Sequence, residues 1–289
     1  MDLSKFTKDG KFLMLALDHR GSFKKLMNPS SPDSVSDDNV IELKSEIIQA
    51  LSSHFSGLLI DETWGLEACK KVCSVKPFLL PLEKTGYTDE NGERVTELEY
   101  SVKQIKEMGA SGAKLLLYFN PDLIGVNPNA QSASKQLETA KQVTEECRAN
   151  DFPFFLEIVT YEPNGVQMSH DRGTNGTNVT VSVQQFQKVG VVPDVWKLEF
   201  PGSLEKCQEI TNLVGNVPWI LLTGGQSFDE FRPELEIAIK GGAKGFLAGR
   251  ALWQEVCSLE GEEKQKFLSE TLPDRFKIIA EIATMESNA

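Results

Sequence analysis

Short apolar runs alternate with amphipathic stretches along the whole chain, and this alternation limits the available folds more than any other feature. The eight runs are 12–17, 57–60, 78–82, 113–119, 154–159, 195–200, 219–222 and 245–248. After the first run, Val40, Leu43, Ile47 and Leu51 recur at the spacing of three and four residues that forms one apolar stripe on a helix. Similar helical patterns cover about 97–109, 133–149, 203–213 and 228–240. Such alternation indicates parallel strands joined by right-handed crossovers.

Eight strands within 289 residues favour a closed (β/α)8 TIM barrel over an open doubly wound sheet. The open sheet stays as the alternative, although no GxGxxG motif follows the first strand to support a dinucleotide fold. A further helix at about 263–285 is expected to pack as a C-terminal extension. We therefore expect residues 1–289 to form a single barrel domain.

The charge balance narrows the class of partner. With 42 Asp and Glu against 30 Lys and Arg, the net charge of −12 would repel nucleic acid. It does not exclude a small phosphorylated metabolite, because one phosphate needs only local N–H groups and one cation. The run at 12–17 is far shorter than the roughly 18 residues of a membrane span, and no signal-peptide pattern follows it. A cytoplasmic protein without a membrane partner is expected, and a homo-oligomer is left open.

Long polar segments follow the predicted strands on one side only. Segments 28–39, 85–94, 120–132 and 162–178 come after the first, third, fourth and fifth strands, whereas connections from helix to strand are short, as at 109–112 and 241–242. Long loops on one rim are typical of a barrel whose site lies at the carboxyl ends of its strands.

Charged residues occupy strand positions that should face the barrel interior. Side chains alternate along a strand, so Lys197 lies opposite Trp196, which would pack against helices. The same alternation aims Lys114 and Glu157 inward from strands four and five, and Asp18 ends strand one. One interpretation is a structural Lys–Glu–Lys ion-pair network.

The other interpretation is a Schiff-base site. Burial and a second nearby ammonium both lower the pKa of a lysine, and a neutral lysine is a nucleophile toward ketones and aldehydes. Lys197 with Lys114 nearby fits this chemistry, and Glu157 could transfer the protons that it requires. Gly224 and Gly225 follow strand seven and Gly249-Arg250 follows strand eight, where many barrels bind phosphate.

Taken together, eight segments resemble the class I aldolases of the tagatose-1,6-bisphosphate aldolase type, including the sulfofructose-phosphate aldolases. They also resemble the aldolase-like domain fused to sugar kinases of inositol catabolism. The segments are LALDHRGSF (15–23), LIDE (59–62), PLEK (81–84), AKLLLY (113–118), FFLE (154–157), VWKLE (195–199), LTGG (222–225) and LAGRA (247–251). At His19 the tagatose type usually carries glutamine, so this segment looks more like the inositol-linked domain.

The resemblance implies a (β/α)8 barrel that cleaves a phosphorylated ketose or keto-acid sugar reversibly into two carbonyl fragments, one of them dihydroxyacetone phosphate or a similar small carbonyl. It implies that Lys197 forms the Schiff base, that Lys114 polarises the site, and that Glu157 is the acid/base. Asp18 would orient the substrate. The implied substrate and phosphate ligands are His19, Arg20, Gly224, Gly225, Gly249 and Arg250. Neither a metal nor a cofactor is expected.

Two other functions are weighed against this one. A metal-dependent lyase or isomerase could hold Mg²⁺ on Asp61, Glu62 and Glu83, whereas a zinc enzyme would need clustered histidines. The histidines of the chain are His19, His54 and His170. A non-catalytic barrel that binds a sugar phosphate is the second alternative, since fold does not fix function.

Overall fold

Eight parallel strands close into a barrel in which each strand pairs with its neighbours in sequence and the last pairs with the first. The computed structural model describes residues 1–72, 76–90, 93–124, 132–161 and 175–285. The barrel strands are β1 Phe12–Leu17, β2 Gly57–Ile60, β3 Phe78–Pro81, β4 Gly112–Phe119, β5 Phe154–Thr160, β6 Val195–Leu198, β7 Trp219–Leu222 and β8 Gly245–Ala248. The (β/α)8 prediction is confirmed, and four of the eight runs match their strands at both ends.

Helices surround the barrel and connect its strands. They are α1 Gly21–Met27, α2 Asp37–Leu51, α3 Gly65–Val72, α4 Val102–Glu107, α5 Ser132–Ala149, α6 Asn175–Lys188, α7 Leu204–Val214, α8 Phe228–Lys240, α9 Arg250–Trp253, α10 Gly261–Lys266 and α11 Leu272–Thr284. Four of the helices that precede the C-terminal extension were not predicted from the sequence: α1, α3, α6 and α9. Strands Thr88–Glu90 and Glu93–Val95 pair antiparallel where the loop 85–94 was predicted after β3, and the second strand ends one residue beyond that segment. In the part of the chain that the structure describes, no helix is long and apolar enough to cross a membrane.

Helix α4 begins five residues later than predicted because of its cap. The Ser101 side chain accepts a hydrogen bond from the backbone N–H of Gln104, and the Gln104 side chain accepts one from the backbone N–H of Ser101. This reciprocal capping box satisfies N–H groups that the first turn leaves open. It fixes the start of the helix at Val102.

The C-terminal extension is present, but it is divided where one continuous helix was predicted. A π-helical turn at Phe267–Thr271 separates α10 from α11. Pro273 follows this turn as the second residue of α11, where its missing N–H and its ring disfavour a continuing α-helical ladder. Helix α11 packs on the barrel through Phe276, whose ring meets that of Phe246 edge to face with centroids 5.5 Å apart.

The barrel interior changes from apolar to polar along its axis. Its closed end is filled by side chains such as Met14, Phe155 and Val195, and Phe6 from the N-terminal turn packs edge to face on Phe155. Two residues further along the same strands, the inward positions carry Glu157 and Lys197. The alternation of side chains therefore places a charged layer directly above an apolar one.

Candidate active site

A cavity of about 710 Å³ opens at the carboxyl ends of the barrel strands. Every residue predicted for the site lines it: Asp18, His19, Arg20, Lys114, Glu157, Lys197, Gly224, Gly225, Gly249 and Arg250. This is the rim on which long loops were predicted. Of those loops, the segment 162–174 with His170 lies outside the described residues.

Strand register brings the charged side chains together. Glu157 of β5 pairs directly with Lys197 of β6, and on its other side it pairs with Leu116 of β4. Lys114 is two residues before Leu116 and faces the same way. The two lysines therefore approach Glu157 from opposite sides.

Lys114 lies at the centre of three carboxylates. Its Nζ is 2.5 Å from Oε1 of Glu83, 3.1 Å from Oδ2 of Asp18 and 3.1 Å from Oε2 of Glu157. Burial alone would lower the pKa of Lys114, but the carboxylates outweigh it and raise this pKa well above the ordinary lysine value. Burial and a neighbouring ammonium, the two effects considered in the sequence, therefore do not decide the pKa of Lys114, because these carboxylates outweigh them. Lys114 is a fixed ammonium.

Burial and the neighbouring lysines also shift the pKa values of the three carboxyl groups around Lys114. Burial would raise the pKa of Asp18 and of Glu157, but Lys114 and Lys197 outweigh burial and lower both. At Glu83 burial prevails and the pKa is raised, although Lys114 opposes this. Asp18 and Glu157 are therefore held ionised at neutral pH.

Lys197 has a simpler environment. Its side chain is buried, and its Nζ lies 2.8 Å from Oε2 of Glu157. Among the described residues, Glu157 is the only carboxylate within ion-pair distance of this amine. The oxygen that contacts Lys197 is the same one that contacts Lys114.

His19 and Arg20 extend the site from the end of β1. The Nδ1 atom of His19 lies 3.7 Å from Oδ1 of Asp18, and the ring packs edge to face on Trp253. Burial lowers the pKa of His19 to about 4 against the opposing effect of Asp18, so the imidazole is neutral near pH 7. A neutral His19 offers a substrate hydrogen bonds and no charge.

Arg20 is already compensated by protein groups. Its Nη1 donates to Glu62 at 3.0 Å and to Glu99 at 2.9 Å, and its Nη2 donates to the carbonyl of Glu83 at 2.9 Å. Two carboxylates therefore neutralise the guanidinium before a ligand binds. These contacts indicate that Arg20 holds the backbone at Glu83 in place, and they fit this role better than that of a phosphate ligand.

Arg250 differs from Arg20, because no carboxylate of the described residues pairs with it. It begins α9 after Gly249, lines the cavity, and forms no ion pair with any residue that the structure describes. Its Nε is buried and lacks a hydrogen-bond partner there. The guanidinium packs against Gly225, where an added Cβ would lie 2.6 Å from Nη2. The Arg250 guanidinium lies beside the backbone of a glycine that lines the cavity, and such an arrangement is suited to bind an anion.

The sequence interpretation missed Lys44, which supports the turn that carries Asp18. Lys44 is completely buried, donates to the carbonyls of Leu17 and His19 at 3.0 and 2.9 Å, and pairs with Asp61. A signal was available, because Lys44 lies four residues after Val40 and three before Ile47, on the buried face of α2.

Glu83 and Glu199 were also not assigned as site residues. Glu83 was considered only as a metal ligand, yet it contacts Lys114 and accepts a bond from the Leu116 N–H at 3.2 Å. Glu199 lines the cavity just after β6 and accepts bonds from the N–H and hydroxyl of Thr160. Strand alternation was a signal for Glu199, since it is two residues beyond Lys197.

The three carboxylates of the metal alternative do not converge. Asp61 pairs with Lys44, Glu62 with Arg20, and Glu83 with Lys114. Within the described ranges, no cluster of three His, Cys, Asp or Glu side chains has an arrangement that could hold a metal ion. His54 lies on the outside against Phe276. The donor set therefore does not fit a magnesium or zinc centre.

Comparison with known proteins gives a consistent family assignment. The sequence profile of DeoC/LacD family aldolases matches residues 12–255. The chain is 31% identical to the tagatose 1,6-diphosphate aldolase of Lactococcus lactis subsp. lactis, over 85% of this chain and 81% of that protein. It is 29% identical to tagatose 1,6-diphosphate aldolase 2 of Streptococcus pyogenes serotype M1, over 97% and 92% of the two chains.

Solved structures agree on the fold. A crystal structure of an archaeal fructose 1,6-bisphosphate aldolase superposes with a TM-score of 0.66 at 20% identity, covering 97% of this chain and 96% of the other. A Schiff-base-forming fructose-1,6-bisphosphate aldolase gives a TM-score of 0.65 at 20% identity, with 97% of both chains covered. The predicted resemblance to aldolases is thus confirmed by the sequence profile and by the relatives. The chain belongs to the DeoC/LacD family of aldolases.

Proposed function

We propose that this aldolase is of class I, that it cleaves a phosphorylated ketose, and that the ε-amine of Lys197 forms the Schiff base with the substrate ketone. The observation that carries the proposal is the unequal environment of the two cavity lysines. Lys114 contacts three carboxylates, whereas Lys197 contacts the single carboxylate of Glu157 among the described residues. A nucleophilic amine must lose its proton, and three carboxylates hold the proton on Lys114.

Glu157 is placed to move the protons of imine formation. Its Oε2 is 2.8 Å from Lys197, within reach of the proton that this amine must lose. After the amine attacks the ketone, one proton passes from the nitrogen to the oxygen to give the carbinolamine. The proton held by Glu157 then moves to the same oxygen, which leaves as water. Lys114 stays charged beside Glu157 and stabilises the negative charge that develops on oxygen.

The resulting iminium serves as the electron sink for cleavage. Loss of the proton from the hydroxyl β to the iminium forms the aldehyde C=O, breaks the carbon–carbon bond, and moves the electron pair to the nitrogen as an enamine. Protonation of the enamine carbon and hydrolysis then release the ketone fragment. We propose that this fragment is dihydroxyacetone phosphate or a similar small carbonyl compound.

Arg250 is proposed to anchor the phosphate. Its guanidinium borders Gly225 and faces the cavity with no ion-pair partner in the described part of the chain. Gly224, Gly225 and Gly249 leave the backbone open to an anion beside it. The relatives named as tagatose 1,6-diphosphate aldolases support a phosphorylated sugar as substrate.

Borohydride trapping tests the proposal directly. The protein is incubated with dihydroxyacetone phosphate, reduced with borohydride, digested and mapped by peptide mass spectrometry, and tagatose 1,6-bisphosphate is tested as substrate in a coupled assay. The expected result is a reduced adduct on Lys197 that Lys197→Met lacks. An adduct on Lys114, or turnover that a chelator abolishes without any adduct, would overturn the assignment. Binding without adduct or turnover would favour a non-catalytic sugar-phosphate barrel.

A further inference from the structure

Glu199 lines the cavity, and the proposed imine chemistry does not use its carboxyl group. Glu199 follows β6 directly, two residues beyond Lys197, and lines the cavity near the mouth of the barrel. Residues two apart on a strand face the same side and are roughly 6.6 Å apart. The Glu199 side chain is therefore within reach of a substrate that is bound to Lys197.

One oxygen of Glu199 is fixed and the other is open. Oε2 accepts a bond from the Thr160 N–H at 2.9 Å and one from the Thr160 hydroxyl at 2.8 Å. Oε1 has no hydrogen-bond partner among the described residues, and no lysine or arginine there lies within ion-pair distance. Asp18, Glu83 and Glu157, by contrast, each contact an ammonium group.

The position of Glu199 relative to the anion site defines which part of the substrate it meets. In the barrel, β6 lies between β5 and β7. Arg250 and the glycines follow β7 and β8, whereas Thr160 holds Glu199 toward β5. A ketose with its phosphate at Arg250 and its ketone carbon on Lys197 extends its remaining half toward Glu199.

The charges around the cavity set the affinity of Glu199 for protons. Burial raises the pKa of Glu199 to about 7, the bonds from Thr160 lower it in part, and the negative charge of Glu157 raises it. The other charged or titratable residues on the cavity wall are Asp18, His19, Arg20, Glu83, Lys84, Lys114, Tyr118, Lys197, Glu234 and Arg250. A carboxyl group that titrates near the working pH is well suited to exchange protons with a substrate.

We propose that Glu199 accepts the proton of the substrate hydroxyl whose carbon becomes the aldehyde. This inference rests on the proposed Schiff-base function. The O–H electron pair forms the aldehyde C=O, the adjacent carbon–carbon bond breaks, and its electrons neutralise the iminium as the enamine. Glu199 is left protonated and returns this proton when the hydroxyl re-forms in the reverse reaction or loses it to water. Asp18 and Glu157 are weaker bases here, since their lysine partners keep them ionised.

Glu199→Gln keeps the shape of the side chain and removes its basicity. With tagatose 1,6-bisphosphate as substrate, we expect kcat for cleavage to fall about 10²- to 10⁴-fold, the range for loss of a general base. Borohydride trapping of dihydroxyacetone phosphate on Lys197 and exchange of its α-proton with deuterated water should stay near wild-type rates, because neither involves the aldehyde half. Unchanged cleavage, or equal losses of cleavage, trapping and exchange, would overturn the inference.

Thr160→Val is the matched second variant. It removes the hydroxyl bond to Glu199 and retains the backbone bond, so the pKa of Glu199 should rise further. The ionisation near pH 7 in the kcat profile should shift to higher pH in Thr160→Val and vanish in Glu199→Gln. A profile that is identical in all three proteins would contradict the role of Glu199. Failure of the proposed function is distinguishable, because the wild-type protein itself would then form no adduct.

Discussion

Lys114 and Lys197 contact the same oxygen of Glu157, at 3.1 Å and 2.8 Å. The sharing is unequal, because Lys114 also contacts Asp18 and Glu83. One lysine is thereby fixed as a cation, while the other shares its only described carboxylate partner. This difference between two residues of the same type is the basis for proposing Lys197, and not Lys114, as the nucleophile.

Lys197→Met should remove turnover while leaving the barrel folded. Loss of a covalent nucleophile is expected to lower kcat on the order of 10⁴-fold or more. The fold should persist because Glu157 keeps Lys114 as a partner and methionine fills a similar volume. Steady-state kinetics and urea unfolding check the two effects separately. A variant that cleaves tagatose 1,6-bisphosphate at nearly the wild-type rate would remove Lys197 as the nucleophile.

Most of the fold follows from local sequence patterns. Each barrel strand is a short apolar run whose own residues indicate it. The inward direction of Lys114, Glu157 and Lys197 follows from the alternation of side chains. These features depend on residues close in sequence, so the sequence alone predicts them.

The partners of each charge could not be predicted in this way. Lys44 and Asp61 are 17 residues apart, and Lys114 and Asp18 are 96 apart. Such pairs form only when the barrel closes, and the direction of a pKa shift depends on them. Helices α1 and α3 were missed for a related reason, because their short lengths of 7 and 8 residues carry little periodic signal.

Lys114→Met should destabilise the fold in a manner that depends on pH. Asp18, Glu83 and Glu157 would lose a buried cation, and breaking a buried pair costs about 3–5 kcal/mol. In the wild-type protein the lysines hold the pKa values of Asp18 and Glu157 below the ordinary carboxyl values, so the stabilisation is lost only as the pH falls through these low folded values. In the variant, burial without the Lys114 cation would raise the pKa values of these carboxyl groups, so they should take up protons between pH 7 and pH 4 and relieve part of the cost at the lower pH. The loss in unfolding free energy should therefore be larger at pH 7 than at pH 4.

Urea unfolding at both pH values measures this difference, and Lys84→Met is the control. The ion pair of Lys84 with Glu97 is exposed to solvent, so its removal should change stability little at either pH. An equal loss for Lys114→Met at pH 7 and pH 4 would indicate that the carboxylates do not depend on this lysine.

Arg250→Ala and Arg20→Gln should separate phosphate binding from structural support. Loss of charge-assisted bonds to phosphate costs about 1.5–3 kcal/mol, so the concentration for half-maximal trapping of dihydroxyacetone phosphate should rise roughly 10- to 100-fold in Arg250→Ala. Trapping of unphosphorylated dihydroxyacetone should stay the same. Arg20→Gln should mainly lower the unfolding free energy, because Arg20 joins Glu62, Glu99 and Glu83. The reverse pattern would move the anion site to Arg20.

Gly225→Ala should weaken substrate binding, and Gly190→Ala, at a glycine that does not line the cavity, is its matched control. Both glycines have φ of +85°, where a side chain costs roughly 1–2 kcal/mol. An added Cβ at Gly225 would meet Nη2 of Arg250 at 2.6 Å, whereas at Gly190 no atom lies within 4 Å. Both variants should lose similar stability, but only Gly225→Ala should raise KM for tagatose 1,6-bisphosphate. A KM for Gly225→Ala equal to that of Gly190→Ala would show that substrate binding does not depend on the present position of Arg250.

Lys44→Met should impair both stability and cleavage, and the double variant Lys44→Met/Asp61→Asn should separate the two effects. Removing Lys44 leaves Asp61 buried without its cation, at a cost of about 3–5 kcal/mol. The asparagine side chain of the double variant is neutral and can still accept the bond from the Trp64 N–H, so this variant should regain much of the unfolding free energy.

Cleavage should not recover to the same extent. Lys44 also donates to the carbonyls on both sides of Asp18, and neither methionine nor asparagine replaces those bonds. The turn that holds Asp18 beside Lys114 should stay less well fixed, so kcat should remain low in the double variant while unfolding free energy recovers. Urea unfolding of the wild type, Lys44→Met and the double variant measures the unfolding free energy, and steady-state kinetics on the same proteins measures kcat. If kcat recovered together with stability, Lys44 would support the fold alone and would not position Asp18.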